Sequence, residues 1–186
     1  MSESWNTEVS MNRDGIVAKL DAVQTESTAY WSAFPSDAFF GKLGEAWSPA
    51  ENVRHLAKSI RPVTKALGMP RIALWVLFGW PRRKSVTYDA LVERYQGKLA
   101  AGGKAGRFAP SPREERDLET RRAEILAELA EANRALRAAI ERWPDAALDR
   151  HQLPHPLLGK LTVREMLYFT LYHQLHHIAV VQRRRM

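Results

Sequence analysis

The stretch Ser48 to Leu67 reads SPAENVRHLAKSIRPVTKAL, and its punctuation and period decide the fold class. Ser48 is a helix N-cap residue. Pro49 suits the first helical position, where its missing amide hydrogen costs nothing, and Glu51 stands where its carboxylate returns a hydrogen bond to the cap. Val53, Leu56, Ile60, Val63 and Leu67 then recur at steps of three and four, lining one face of an α-helix. Pro62 falls inside this pattern and is expected to kink the helix or end it early, because it donates no hydrogen bond and crowds the preceding turn.

The same period continues on both sides. Upstream, Ile16, Leu20, Val23, Tyr30 and Phe34 form one face of a first helix that Pro35 ends. Downstream, Leu118, Ile125, Leu129, Leu136 and Ile140 mark a third helix from about Arg113 to Arg142. A fourth opens on a second capping box, Thr162-Val163-Arg164-Glu165, and runs to about Gln182. No stretch alternates cleanly with period two. Four amphipathic helices imply an all-α protein, a four-helix bundle.

Residues 67–112 interrupt that regularity, since helix–helix connections usually take about 2–8 residues. They hold the run Ile72 to Trp80 (IALWVLFGW), the basic Pro81-Arg82-Arg83-Lys84, a short helical piece near Tyr88 to Leu99, and glycines at 102, 103 and 106. A connection this long can cross the end of the bundle and let helices two and three run parallel, or cover a cleft as a lid. Residues 1–186 are read as a single helical-bundle domain with 67–112 as this extended connection. Trp75, Phe78 and Trp80 read as packing residues.

The chain has 186 residues, and 28 Lys and Arg against 21 Asp and Glu give a net charge of +7. That charge is local. Segment 67–112 holds eight cations against Asp89 and Glu93, an excess of +6, and Arg183-Arg184-Arg185 add +3, which leaves the bundle at −2. With 45% hydrophobic residues the chain is too apolar to be disordered. The absence of cysteine excludes disulfides, Cys-ligated zinc, iron–sulfur clusters and a catalytic protein thiol. The longest apolar run is far short of the ~20 residues a transmembrane helix requires. Met1 to Ser10 carries two Glu and neither a basic nor an apolar targeting region, so a soluble cytoplasmic protein is expected.

Chemistry enters with the histidines. His173 and His177 are four apart on the fourth helix and share its apolar face with Met166, Thr170 and Val180. Burying two imidazoles there costs desolvation unless their nitrogens are hydrogen-bonded or bound to a metal, and spacing alone leaves both readings open. Neutral imidazole suits zinc and nickel. His55, at the margin of the second helix's apolar stripe, is the candidate third ligand, and three His with open positions describe a catalytic rather than a structural zinc site. Glu51, one turn before His55, is a candidate orienting partner or base, although its capping role already accounts for it. His176 reads as flanking. His151 and His155 fall in the connection 143–161, where turn chemistry explains them.

Two phrases resemble a known family. Trp47-Ser48-Pro49-Ala50-Glu51-Asn52-Val53-Arg54-His55-Leu56 is similar to the W-S-x-x-E-x-x-x-H-L signature of the DinB-like superfamily. His155-Pro156-Leu157-Leu158-Gly159-Lys160-Leu161-Thr162-Val163-Arg164-Glu165, followed by His173, His176 and His177, resembles a branch of that superfamily with unknown function. The resemblance implies an up-down-down-up bundle with a divalent metal, zinc or nickel, on His55, His173 and His177. It also implies homodimers, and metal-dependent transfer or isomerisation using low-molecular-weight thiols such as bacillithiol or mycothiol, or hydrolysis. The long basic segment departs from compact members.

Three functional expectations follow. The first is a metal-dependent enzyme in which the ion activates a thiol cosubstrate or water toward a small molecule, with the basic segment attracting an anionic substrate. The second is a non-enzymatic metal-binding stress or interaction protein. The third, weaker because no DNA-binding motif is visible, is nucleic-acid or membrane-surface binding through the basic segment 81–107 and the Arg tail.

Overall fold

The computed structural model describes residues 10–110 and 116–185. Helix α1 (Arg13–Ser32) starts at Asn12, whose side chain accepts from the Gly15 amide, and a short α2 (Ser36–Phe40) follows Pro35. Helix α3 (Pro49–Leu67) opens with both arms of the expected capping box formed. It continues through Pro62 to Leu67, against the expectation of an early end. Pro62 and Lys58 are both exposed, so the Lys58 carbonyl left without its helical donor faces solvent.

The described part of segment 67–112, residues 67–110, is largely structured. It contains α4 (Arg71–Phe78), α5 (Tyr88–Ala100) and a single 3-10 turn at Gly106–Phe108. The expected start of the third long helix near Arg113 lies outside the described residues. In the described chain α6 (Leu118–Glu141) begins after Asp117, whose side chain accepts from the Thr120 amide. The connection 143–161 holds what periodicity missed, an antiparallel hairpin of β1 (Gln152–His155) and β2 (Gly159–Thr162). Helix α7 (Val163–Arg185) then completes the chain.

Hydrogen bonds between the helices fix their directions. Arg13 at the start of α1 reaches the Glu141 carbonyl at the end of α6, while Arg122 near the start of α6 bonds the Ser32 carbonyl. These two helices are therefore antiparallel. The Trp143 indole donates to Leu67 O just where α3 and α6 both end, so α3 and α6 run parallel. His55 meets His173 and Asn52 meets His177, which makes α7 antiparallel to α3. The order is up-down-down-up, as the resemblance implied. One apolar core, with Ile16, Leu20, Leu56, Ile60, Leu136 and Leu171 all nearly inaccessible, joins the four long helices.

Helix α7 is the central element. Residues 163–171 are buried without exception, so the narrow apolar stripe expected for this helix is instead burial on every side. Part of that cover comes from α5, whose Leu91 and Tyr95 are buried and whose Tyr95 ring meets Phe169 edge-on at 5.1 Å. A helix that begins inside a protein must satisfy its first amides there. The Thr162 hydroxyl accepts from the Glu165 amide at 3.2 Å and the Glu165 carboxylate accepts from the Thr162 amide at 2.9 Å. The fully buried Glu165 also receives two hydrogen bonds from Arg83 and one from the Val86 amide, anchoring the basic segment to the helix start. Its buried neighbour Arg164 pairs with Asp149 and Asp145 and donates to the Met11 carbonyl.

Among the described residues no helix is long and apolar enough to cross a membrane. Of the three expected packing aromatics, Trp75 stacks on His151 and on Trp80 and donates to Arg150 O, and Phe78 is partly buried. Trp80 itself, with Ile72, Val76 and Leu77, keeps more than half its surface exposed.

Glu165→Ala removes a fully buried carboxylate that pairs with the part-exposed Arg83 and accepts from two backbone amides. It is expected to lower the free energy of unfolding by about 3–5 kcal/mol, read by urea denaturation. Arg83→Ala is also expected to destabilise, because it leaves the fully buried Glu165 carboxylate without its cation, with the Val86 and Thr162 amides still donating to it. A pH effect is expected at Asp149. Burial pushes its carboxyl up, but hydrogen bonds from Arg164 and Ser85 and the guanidinium charge outweigh this and hold it below its ordinary 3.8. A lowered folded value stabilises the fold above the ordinary value, and that contribution disappears as pH falls through the folded one. The urea midpoints of the wild type and Asp149→Asn should therefore differ at neutral pH and converge in acid.

Candidate metal centre

The facing stretches of α3 and α7 carry the histidines. His55, His173 and His177 are all buried, and one nitrogen from each lies within 4.8 Å of the others. The Nε2 atoms of His55 and His177 each stand 3.1 Å from Nε2 of His173. Those two edges are close to the roughly 3.3 Å kept by tetrahedral nitrogen ligands about 2.0–2.1 Å from zinc. Trp47 lies parallel to His177 at 6.0 Å and tilted toward His55 at 5.1 Å, while Phe169 stacks on His173 at 4.8 Å, so aromatic rings flank the cluster.

The opposite ring nitrogens decide what the cluster offers. His55 Nδ1 is 2.8 Å from the Phe108 carbonyl, which can only accept, so this nitrogen carries the proton. His177 Nδ1 is 2.6 Å from the side-chain oxygen of Asn52. The orientation of that amide is fixed, because its NH2 donates to the carbonyls of Trp47 and Ser48 at 3.2 and 2.9 Å. His177 Nδ1 therefore also donates. Both Nε2 atoms are left with lone pairs aimed at His173, whose Nε2 can carry at most one proton between two acceptors. A cation among the three nitrogens satisfies all of them, so the residues present fit a divalent metal.

Electrostatics agree with neutral ligands. Burial first, and then the neighbouring imidazoles, push His173 and His177 well below the ordinary histidine range. Burial lowers His55 as well, against the upward pull of the Phe108 hydrogen bond.

The other expected positions separate. The Glu51 carboxylate accepts from the Ser48 amide and so closes the helix cap, while the contact that orients His55 comes from Phe108. His176 flanks the site and lines the adjoining cavity, edge-on to Tyr95 at 5.8 Å. His155 performs turn chemistry: its Nδ1 accepts from the amides of Leu157 and Leu158, and Gly159 (φ 75°) restarts the strand in a conformation that other residues rarely adopt. The same ring lines the cavity, held neutral by burial and by Arg94, which lower it to about 4. His151 lies apart, bonded to Ala147 O and stacked on Trp75.

Three contributors escaped the sequence reading. Asn52, three residues before His55 on the same side of α3, was legible from that spacing. Phe108 acts through its backbone, which has no sequence signature. Tyr95 reaches the site from α5, and its ring stands edge-on to His173 at 6.3 Å. Its phenol, pushed up to about 12 by burial and by Tyr172, stays protonated as a donor beside the cavity.

The tautomers are directly testable. Long-range 1H–15N spectra of metal-free protein at neutral pH should show His55 and His177 neutral and protonated at Nδ1. Asn52→Leu should release that preference at His177 alone, whereas an unchanged His177 pattern would refute the assignment.

No curated protein and no solved structure matched the chain. The sequence profile described as the DinB superfamily matches residues 19–181. A match of that extent, spanning α3, α7 and the three converging histidines, makes the chain a member of the DinB superfamily.

Proposed function

We propose that this protein is a divalent-metal-dependent enzyme of small-molecule chemistry, with His55, His173 and His177 holding zinc or nickel. The observation that carries the reading is the convergence of three Nε2 atoms, two of them stripped of protons by fixed Nδ1 partners. An ion held by these three neutral imidazoles would keep its full charge and would supply the lowering of the pKa of a low-molecular-weight thiol or water.

The chain's own groups do the rest. Phe108 O and Asn52 hold His55 and His177 in the ligating tautomer. Trp47 and Phe169 exclude water from the flanks of the cluster. Tyr95 offers a protonated phenol at the cavity wall, suited to meeting charge that develops on a substrate oxygen. Glu51 contributes by fixing the start of α3, one turn before His55, rather than as a base. Transfer of a thiol to an electrophile and hydrolysis are the two reaction classes this arrangement serves. The second reading, metal binding without turnover, shares the same site. Arg83 and Arg94, although exposed, are weaker candidates for a polyanion surface on segment 81–107, because each already donates within the fold, to Glu165 and to Leu158 O.

Protein purified without a histidine tag should carry about one zinc or nickel ion per chain by elemental analysis. His173→Ala should abolish that content, and Asn52→Leu should lower zinc affinity about 10–100-fold in a chelator competition. Metal retained in His173→Ala would remove the site. Stoichiometric metal with no turnover in thiol-transfer and hydrolysis screens would favour the non-enzymatic reading.

A further inference from the structure

The three histidines form one end of a cavity of about 340 Å³, at the small end of ligand pockets. Its walls come from five parts of the chain: α3 with Trp47 before it, the end of α4, α5 with the loop after it, the β-hairpin, and α7. Val63, Ala66, Phe78, Leu99, Leu153 and Leu157 make the lining away from the histidines mainly apolar, with Ser59, Tyr95 and His155 as its neutral polar groups. Two exposed cations, Lys104 and Arg107, also line the cavity, and among the described residues no Asp or Glu lines it. Among the described residues neither cation has a carboxylate partner. Arg94, bonded to Leu158 O, adds positive potential at the lining His155.

We propose that this cavity binds a small apolar molecule bearing one anionic group, with the anion at Lys104 and Arg107 and the apolar body along the wall toward the histidines. The assignment of which end reacts rests on the metal site proposed above; the binding preference does not. A strongly hydrated, multiply polar ligand would have to shed water against hydrocarbon without replacement hydrogen bonds, which is costly. A neutral apolar ligand would gain nothing from the two cations, which would stay solvated by water. A carboxylate on an aliphatic or aromatic body satisfies both parts of the lining.

The loop that carries the cations is held in place. Gly103 packs so closely that an added Cβ would lie 2.7 Å from the Lys98 carbonyl and 3.3 Å from Leu157. A few residues on, Phe108 O accepts a hydrogen bond from His55 Nδ1 and Ala109 O accepts from Lys58. One loop therefore presents the charge for the ligand and orients an imidazole of the candidate metal centre.

The test is calorimetric titration of the metal-loaded and the chelator-stripped protein with butyrate, hexanoate, octanoate and 1-octanol. Octanoate should bind at least about tenfold more tightly than 1-octanol, as a charge-assisted contact requires. Each two added methylenes from butyrate to octanoate should tighten binding about tenfold. In Lys104→Gln/Arg107→Gln, two exposed positions, octanoate should weaken about tenfold while 1-octanol is unchanged. Equal affinity for octanoate and 1-octanol, or octanoate undiminished in the double variant, overturns the proposal even if metal is bound. The octanoate preference surviving in protein that never binds metal leaves this proposal standing and refutes the metal site alone.

Discussion

Everything in this protein depends on starting a helix in its interior. Helix α7 has to be covered on all sides, yet its first turn presents amides that water cannot reach. Thr162 and Glu165 satisfy them reciprocally, and Glu165 recruits Arg83 and the Val86 amide to complete its own shell. Arg164, the adjacent residue, points its opposite charge toward Asp145, Asp149 and Met11 O. Consecutive buried charges thus gather the N-terminal end of α1, the connection after α6 and the basic segment around one point. At about 1.5 Å per residue, His173 and His177 then stand roughly 12 and 18 Å along a helix whose origin is fixed.

The candidate centre repeats this logic on a smaller scale. Its donors are held by groups that are themselves held: the Trp47 and Ser48 carbonyls fix Asn52, Asn52 fixes His177, and the loop after α5 fixes His55. Such an arrangement costs desolvation, because three imidazoles are kept neutral beside one another. That cost is hard to reconcile with a purely structural role, since an apolar trio would pack the same space without it.

Much of this was legible in the sequence, for physical reasons. Capping boxes are local, so Ser48/Glu51 and Thr162/Glu165 announced two helices to the residue. Histidines four apart on a helix must share a face, so spacing alone puts His173 and His177 together. Other features depend on partners distant in the chain. The Arg83–Glu165 pair spans 82 positions, and nothing near Arg83 distinguishes it from Arg82 or Lys84. The hairpin hid because its strands are four residues each and one contains Pro154, too short for a period to emerge. The long segment looked like a departure from a compact bundle. It instead supplies α5, whose Leu91 and Tyr95 help to bury α7, and a wall of the cavity.

The hydrogen bond from His55 to a main-chain oxygen sets different rules for composition and for length. No side-chain replacement at Phe108 deletes that carbonyl, so the exposed Lys104 and Arg107, unlike the tightly packed Gly103, can be exchanged, and with them the charge offered to a ligand, without removing the imidazole's anchor. Adding or losing one residue shifts the chain by up to about 3.3–3.6 Å, more than a hydrogen bond tolerates. Selection acting on this loop would therefore hold its residue count constant while its lettering drifts, leaving specificity free to diversify around a conserved reactive core.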